Sequence, residues 1–71
     1  MLLLTQGGEI INLDRMAFIY TSSLNVYASQ DISGRGIILG SYYFESRCYE
    51  IIGNIFDDYR CNKRIFKMPE E

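Results

Sequence analysis

Little in this 71-residue chain is equipped for chemistry. It has no histidine, which removes the commonest general base and metal ligand. Two cysteines, Cys48 and Cys61, cannot complete a four-ligand zinc site within one chain. Asp57 and Asp58 are adjacent, but neighbours on a helix point about 100° apart, so they neither clamp a metal nor share a proton. Ser33-Gly34-Arg35-Gly36 has the look of a phosphate loop. It lacks the lysine and the following helix that such a loop needs, and it reads as a turn between strands. Cys61 lies beside Arg60 and Lys63, which favour a thiolate, yet no base or resolving thiol is near in sequence. No catalytic residue, metal or cofactor is expected.

What remains are side chains suited to contact. Tyr20, Tyr27, Tyr42, Tyr43, Tyr49 and Tyr59 are more tyrosines than so small a core can hold. Tyrosine gives a large contact area at low entropy cost. Tyr42 and Tyr43 are consecutive, so one of them points away from the core. The second group is Lys63-Arg64-Ile65-Phe66-Lys67-Met68-Pro69, in which apolar residues are set among basic ones. Beyond Asn62, a helix C-cap, this reads as a tail that docks on a surface: its own domain, a second copy or another protein. The expected partner-binding residues are therefore Tyr20, Tyr27, Tyr42, Tyr43, Lys63, Arg64, Ile65, Phe66, Lys67 and Met68.

The elements that position these residues follow from a change of rhythm near Tyr43. Before it, short apolar runs alternate with turn residues. After it, Cys48, Ile51, Ile52, Ile55 and Tyr59 recur at helical spacing, and Phe56 widens the stripe. Leu2 to Thr5 and Glu9 to Ile11 flank Gly7-Gly8, a two-residue turn that sets Gln6 opposite Glu9 and Leu4 opposite Ile11. Asn12 to Arg15 reads as a turn or a short 3₁₀ piece, with Leu13 plugging the sheet edge. Met16 to Ser22, Val26 to Ser29 and Ile37 to Leu39 read as further strands, with Gly40 ending the last. The helix opens near Phe44, which cannot cap it with its side chain. The expected fold is α+β, a five-stranded antiparallel meander packed by one C-terminal amphipathic helix. It forms a single domain over residues 1–61, followed by the tail 62–71.

Charge is unevenly placed. Over residues 1–59 three arginines face seven carboxylates. Residues 60–67 hold four cations, and the net charge is −2. An acidic body does not recruit nucleic acid. Two cysteines are too few for a disulfide scaffold, and a helix over 45–61 would hold them about 20 Å apart, so free thiols and a cytoplasmic location are expected. Met1 to Leu4 does not read as a signal peptide, and no run approaches the length of a membrane span.

Thr5 to Asp14, Ile19-Tyr20, Leu39 to Tyr42, Glu50-Ile51-Ile52 and Ile55-Phe56 together resemble a class of very short, mostly uncharacterised proteins of low-GC Gram-positive bacteria and their phages. The resemblance covers about residues 1–60. It implies a sheet capped by one C-terminal helix and no catalytic residues. The chain departs from that class at Phe44, where a polar cap residue is usual, and in its basic-apolar tail. By size and acidic charge it is similar to phage proteins that block host nucleases and immune complexes. The expected function is a non-enzymatic protein-binding module, a phage or mobile-element factor that inhibits or adapts a host protein. In it an acidic body imitates nucleic acid and tyrosines anchor the contact. The partner is such a host factor or a second copy of the chain, with no membrane. The alternative is a small nucleic-acid-binding accessory protein, its sheet tyrosines stacking on bases and its tail meeting phosphates.

Overall fold

The computed structural model describes residues 1–31 and 36–70. The element order is β1 (Leu2–Leu4), β2 (Ile10–Asn12), a 3₁₀ turn (Leu13–Arg15), β3 (Phe18–Ser22), β4 (Asn25–Ser29), β5 (Ile37–Ser41), α1 (Glu45–Arg60) and β6 (Ile65–Lys67). The strands form two three-stranded sheets, β2-β1-β6 (sheet one) and β3-β4-β5 (sheet two). The class is α+β as expected, but the single five-stranded meander is corrected to six strands in two sheets. The residues of the Ser33-Gly34-Arg35 loop lie outside the described ones.

The largest correction concerns the tail. The expected tail 62–71 is, over its described residues 62–70, not an appendage to a domain that ends at 61. β6 pairs in parallel with β1, Leu2 opposite Ile65 and Leu4 opposite Lys67. The Leu2 N–H donates to the Arg64 carbonyl at 2.8 Å, and the Met68 N–H to the Leu4 carbonyl at 2.9 Å. Phe66 and Met68 are buried in the same core as Leu3, Leu39, Ile51 and Ile55. The physical reason is the alternation of a strand: Ile65 and Lys67 face one way, Phe66 and Met68 the other. A thin core recruits the apolar half of that pattern.

The first hairpin also differs by one residue. Leu4 pairs with Ile10 and Leu3 with Ile11, not Leu4 with Ile11. Its loop is Gln6-Gly7-Gly8, in which Gly8 has φ +88° and Gly7 does not need it. The Thr5 N–H donates to the Glu9 carbonyl at 2.8 Å and the Gly8 N–H to the Thr5 carbonyl at 3.1 Å. This is a three-residue loop closed by a left-handed glycine, the next commonest hairpin solution. Because side chains alternate, the slip puts Leu3 inside and Leu2, Leu4 and Ile10 on the other face.

Sheet two is the local meander that its spacing suggests. β5 runs through Gly40 to Ser41, and it carries a bulge: Val26 pairs with Gly40 and Tyr27 with Ile38, leaving Leu39 as the extra residue. Leu39 points into the core beside Val26 and Ala28. α1 covers this sheet with Cys48, Ile51 and Ile55, a narrower stripe than the sequence suggests. Ile52 is half-buried, and Phe56 and Tyr59 are exposed. Phe44 provides no side-chain cap. The helix ends cleanly: the Lys63 N–H donates to the Asp58 carbonyl and the Asn62 N–H to the Tyr59 carbonyl, with Asn62 left-handed at φ 61°. That paired pattern satisfies the last carbonyls and turns the chain directly into β6.

Candidate protein-contact face

Sheet one has one face in the core and one in solvent, and the solvent face is also largely apolar, with Asn12 and Lys67 at its margins. Its outer face carries Leu2, Leu4, Ile10 and Ile65; Ile10 is 69% exposed and Ile65 66%. An antiparallel or mixed sheet with one wet face normally shows polar residues there. The apolar runs Leu2-Leu3-Leu4, Ile10-Ile11 and Ile65-Phe66 are instead the pattern of strands covered on both sides. Lys67 pairs with Leu4 on this face, and a cleft of about 650 Å³ beside it is lined by Met1, Leu2, Asn12, Asp14, Tyr59, Asn62, Lys63, Arg64 and Ile65. An aliphatic centre is thus bordered by three cations.

Two devices hold that face. Gln6, freed by the three-residue loop, clasps sheet one to sheet two and to the C-terminal segment. Its N–H donates to the Leu39 carbonyl at 2.9 Å. Its Oε1 accepts from the Ser41 N–H at 2.8 Å, and its Nε2 donates to the Pro69 carbonyl at 2.8 Å. At the cleft, the Asp14 carboxylate accepts from the Met1 amino group at 3.3 Å and from the Tyr59 hydroxyl. The Tyr59 bond, with the ammonium, holds the Asp14 pKa below its usual value, and the same bond to Asp14 raises that of Tyr59.

The expected contact residues separate. Lys63, Arg64, Ile65 and Lys67 come together on the sheet-one face and its cleft. Phe66, Met68 and Tyr42 are corrected: they belong to the core and cannot meet a partner. Tyr42 donates its hydroxyl to the Pro69 carbonyl at 2.7 Å, and burial raises its pKa although Arg47 opposes this. Tyr43 points outward, 75% exposed. Tyr20 and Tyr27 stack with ring centres 5.1 Å apart on the outer face of sheet two. A side chain at Gly36 would collide with the Tyr20 hydroxyl and the Tyr27 ring, so the pair lies flat against the backbone that glycine leaves bare. Leu2, Leu4 and Ile10 share this outer face and were not among the expected contact residues. Their signal was three consecutive leucines in a strand, apolar on both faces.

Among the described residues no group of histidine, cysteine or carboxylate side chains could hold a metal ion, and no helix is long and apolar enough to cross a membrane. Cys48 is buried and Cys61 exposed, both free. No protein-family model, curated protein or solved structure matches the chain.

Proposed function

We propose that this chain is a non-enzymatic protein-binding module whose contact surface is the outer face of sheet one. The observation that carries the reading is the aliphatic face of Leu2, Leu4, Ile10 and Ile65 bordered by Lys63, Arg64 and Lys67. Such a surface is complementary to a protein with an apolar ridge and acidic flanks. Within this reading the charge at the contact is basic, although the body of the chain is acidic. The resemblance to very short proteins of Gram-positive bacteria and their phages supports a host protein as the partner, met in the cytoplasm and blocked or redirected by occupancy.

The test is capture from a lysate of the chain's own host, comparing the wild type with Ile10→Lys/Ile65→Glu. Both positions are about two-thirds exposed, so the double variant should melt with the wild type. The wild type should hold a protein that the double variant loses, and capture should weaken with added salt. Tyr43→Ala, equally exposed but elsewhere, should keep it. Capture of the same protein by a folded double variant would remove this face from the reading.

The nucleic-acid alternative needs the sheet tyrosines and the cations of the tail on one surface. Tyr20 and Tyr27 belong to sheet two and Lys67 to sheet one. Fluorescence anisotropy with single-stranded DNA or RNA should give a Kd no tighter than about 1 μM at physiological salt.

A further inference from the structure

Two three-stranded sheets have four edges, and three of them are guarded. β2 is three residues long and runs straight into the 3₁₀ turn. β6 is equally short and carries Lys67. β5 is bulged at Leu39, and Gln6 takes the outer groups of its C-terminal half, bonding the Leu39 carbonyl and the Ser41 N–H. β3 is different. It is five residues, Phe-Ile-Tyr-Thr-Ser, without charge, proline or bulge. Natural sheets rarely leave such an edge open, because it templates pairing with another strand.

The edge has a definite chemistry. The β3–β4 turn is Ser23-Leu24, both at positive φ (52° and 67°), closed by the pair Ser22 and Asn25. The i to i+3 bond of such a turn makes Ser22–Asn25 a hydrogen-bonded pair, and pairs alternate from there. Phe18, Tyr20 and Ser22 therefore spend their backbone groups on β4. Ile19 and Thr21 turn theirs outward, where no partner meets them among the described residues. Beneath this edge a groove of about 480 Å³ opens on the helix side, lined by Met16, Phe18 and Ile19 with Ile52, Phe56 and Tyr59.

We infer that β3 pairs antiparallel with β3 of a second copy, forming a symmetric dimer with a continuous six-stranded sheet. Centred on Tyr20, this register sets Ile19 opposite the second copy's Thr21, and Thr21 opposite its Ile19. All four outward N–H groups then donate to the four outward carbonyls. Tyr20 meets its own symmetry mate as a non-hydrogen-bonded pair, the closer kind, which extends the Tyr20–Tyr27 stack across the axis. Ile19 of each copy falls on the helix side, where the groove lies. A second copy is favoured over a foreign strand because the pairing is self-complementary and consumes the one long, unbulged edge left open among the described residues. Assembly therefore stops at two instead of growing.

The experiment is sedimentation of the full chain across concentration, with amide exchange read at each point. The expected result is twice the monomer mass at high concentration, with the Ile19 and Thr21 amides gaining protection on dimerisation while those of Phe18 and Tyr20 are protected throughout. Tyr20→Lys places two charges face to face on the axis and should give a folded monomer, whereas Tyr20→Phe should remain dimeric. A chain monomeric up to about millimolar concentration overturns the inference. So does a dimer in which the Ile19 and Thr21 amides exchange freely, and so does an edge that pairs only with an added foreign peptide. Ile10→Lys/Ile65→Glu should leave the dimer unchanged, so failure of the contact face and failure of this edge are read separately.

Discussion

Sheet two is made from three strands that follow one another in the chain, whereas sheet one joins the first two strands to the last. In sheet two each strand pairs with the next one in the chain, β3 and β4 through the turn at Ser23-Leu24, and the inward residues Val26, Ala28 and Leu39 alternate with outward ones. In sheet one the central partner of Leu2 is Ile65, at the far end of the sequence, and both faces are largely apolar. The contrast teaches where this molecule keeps its structure and where it keeps its surface. Sheet two is a locally specified scaffold against α1. Sheet one is closed late and presents an aliphatic face.

The largest effect should come from breaking the closing strand. Phe66→Ala removes a buried ring and should cost about 3–5 kcal/mol, while Ile65→Ala, its outward neighbour, should cost under about 0.5. Removing residues 62–71 should unfold the chain, since it strips Phe66 and Met68 from the core and exposes the edge of β1. Denaturant melts decide it: if the truncated chain keeps its stability, β6 is not part of the sheet and the contrast collapses.

The same contrast explains what could be read from residues alone. The helix is legible because Cys48, Ile51 and Ile55 recur every three or four residues. Its stop at left-handed Asn62, one residue past the cap Cys61, the 3₁₀ turn at Leu13 and the meander from β3 to β5 are equally local signals. The β1–β6 pair is not legible, because nothing near Leu2 specifies Ile65 as its partner. A three-residue strand after a helix also looks the same as a tail. The hairpin register was missed by one residue because Gly7-Gly8 fits two loops. The longer loop wins with Gly8 alone left-handed and Gln6 delivered to β5 and Pro69. Of the residues on the proposed contact face, Lys63, Arg64, Ile65 and Lys67 stand out in the sequence by composition. Leu2, Leu4 and Ile10 were hidden by the same register, which decides which leucine faces out.

Gln6 is the joint between the two regions, and the next effect in size. Gln6→Ala strands the Ser41 N–H and releases Pro69, and should cost about 1–3 kcal/mol. Hydrogen exchange sharpens the comparison, because the loss should open the β1–β2 hairpin and residues 66–70 before it opens β3 and β4. Uniform opening of both sheets would mean that they do not form separable units.

A smaller change should strengthen sheet two alone. Leu24 holds φ 67° at the tip of the β3–β4 turn, a conformation costly for a branched side chain, and its carbonyl accepts from the Tyr42 N–H at 2.9 Å. Replacing Ser23-Leu24 by Asn-Gly keeps the turn and relieves the strain, so stability should rise by about 1 kcal/mol. A thermal melt that falls instead would show that the exposed Leu24 side chain contributes packing.

The smallest effect lies where sheet one meets the helix end. The Asp14 carboxylate takes hydrogen bonds from the Tyr59 hydroxyl and the Met1 amino group, and both lower its pKa, Tyr59 the more. A carboxylate lowered on folding stabilises the native state above its unfolded pKa, about 4, and loses that contribution as pH falls through the folded value. Tyr59 runs the other way. Its pKa is raised chiefly by the hydrogen bond to Asp14, so its contribution is present below about 10 and fades as pH rises through the raised value. The contact therefore acts over a window closed at both ends. Tyr59→Phe should lower stability slightly at neutral pH, and the difference from wild type should shrink toward pH 3 as Asp14 is protonated. Asp14→Asn should flatten the acid limb that Asp14 contributes. Both side chains are about half exposed to water, so salt should erode the Met1–Asp14 attraction, while the neutral Tyr59 donor is less sensitive. A Tyr59→Phe difference that stays constant from pH 3 to 8 would detach the Asp14 contact from the fold and leave Gln6 as the joint that holds sheet one in place.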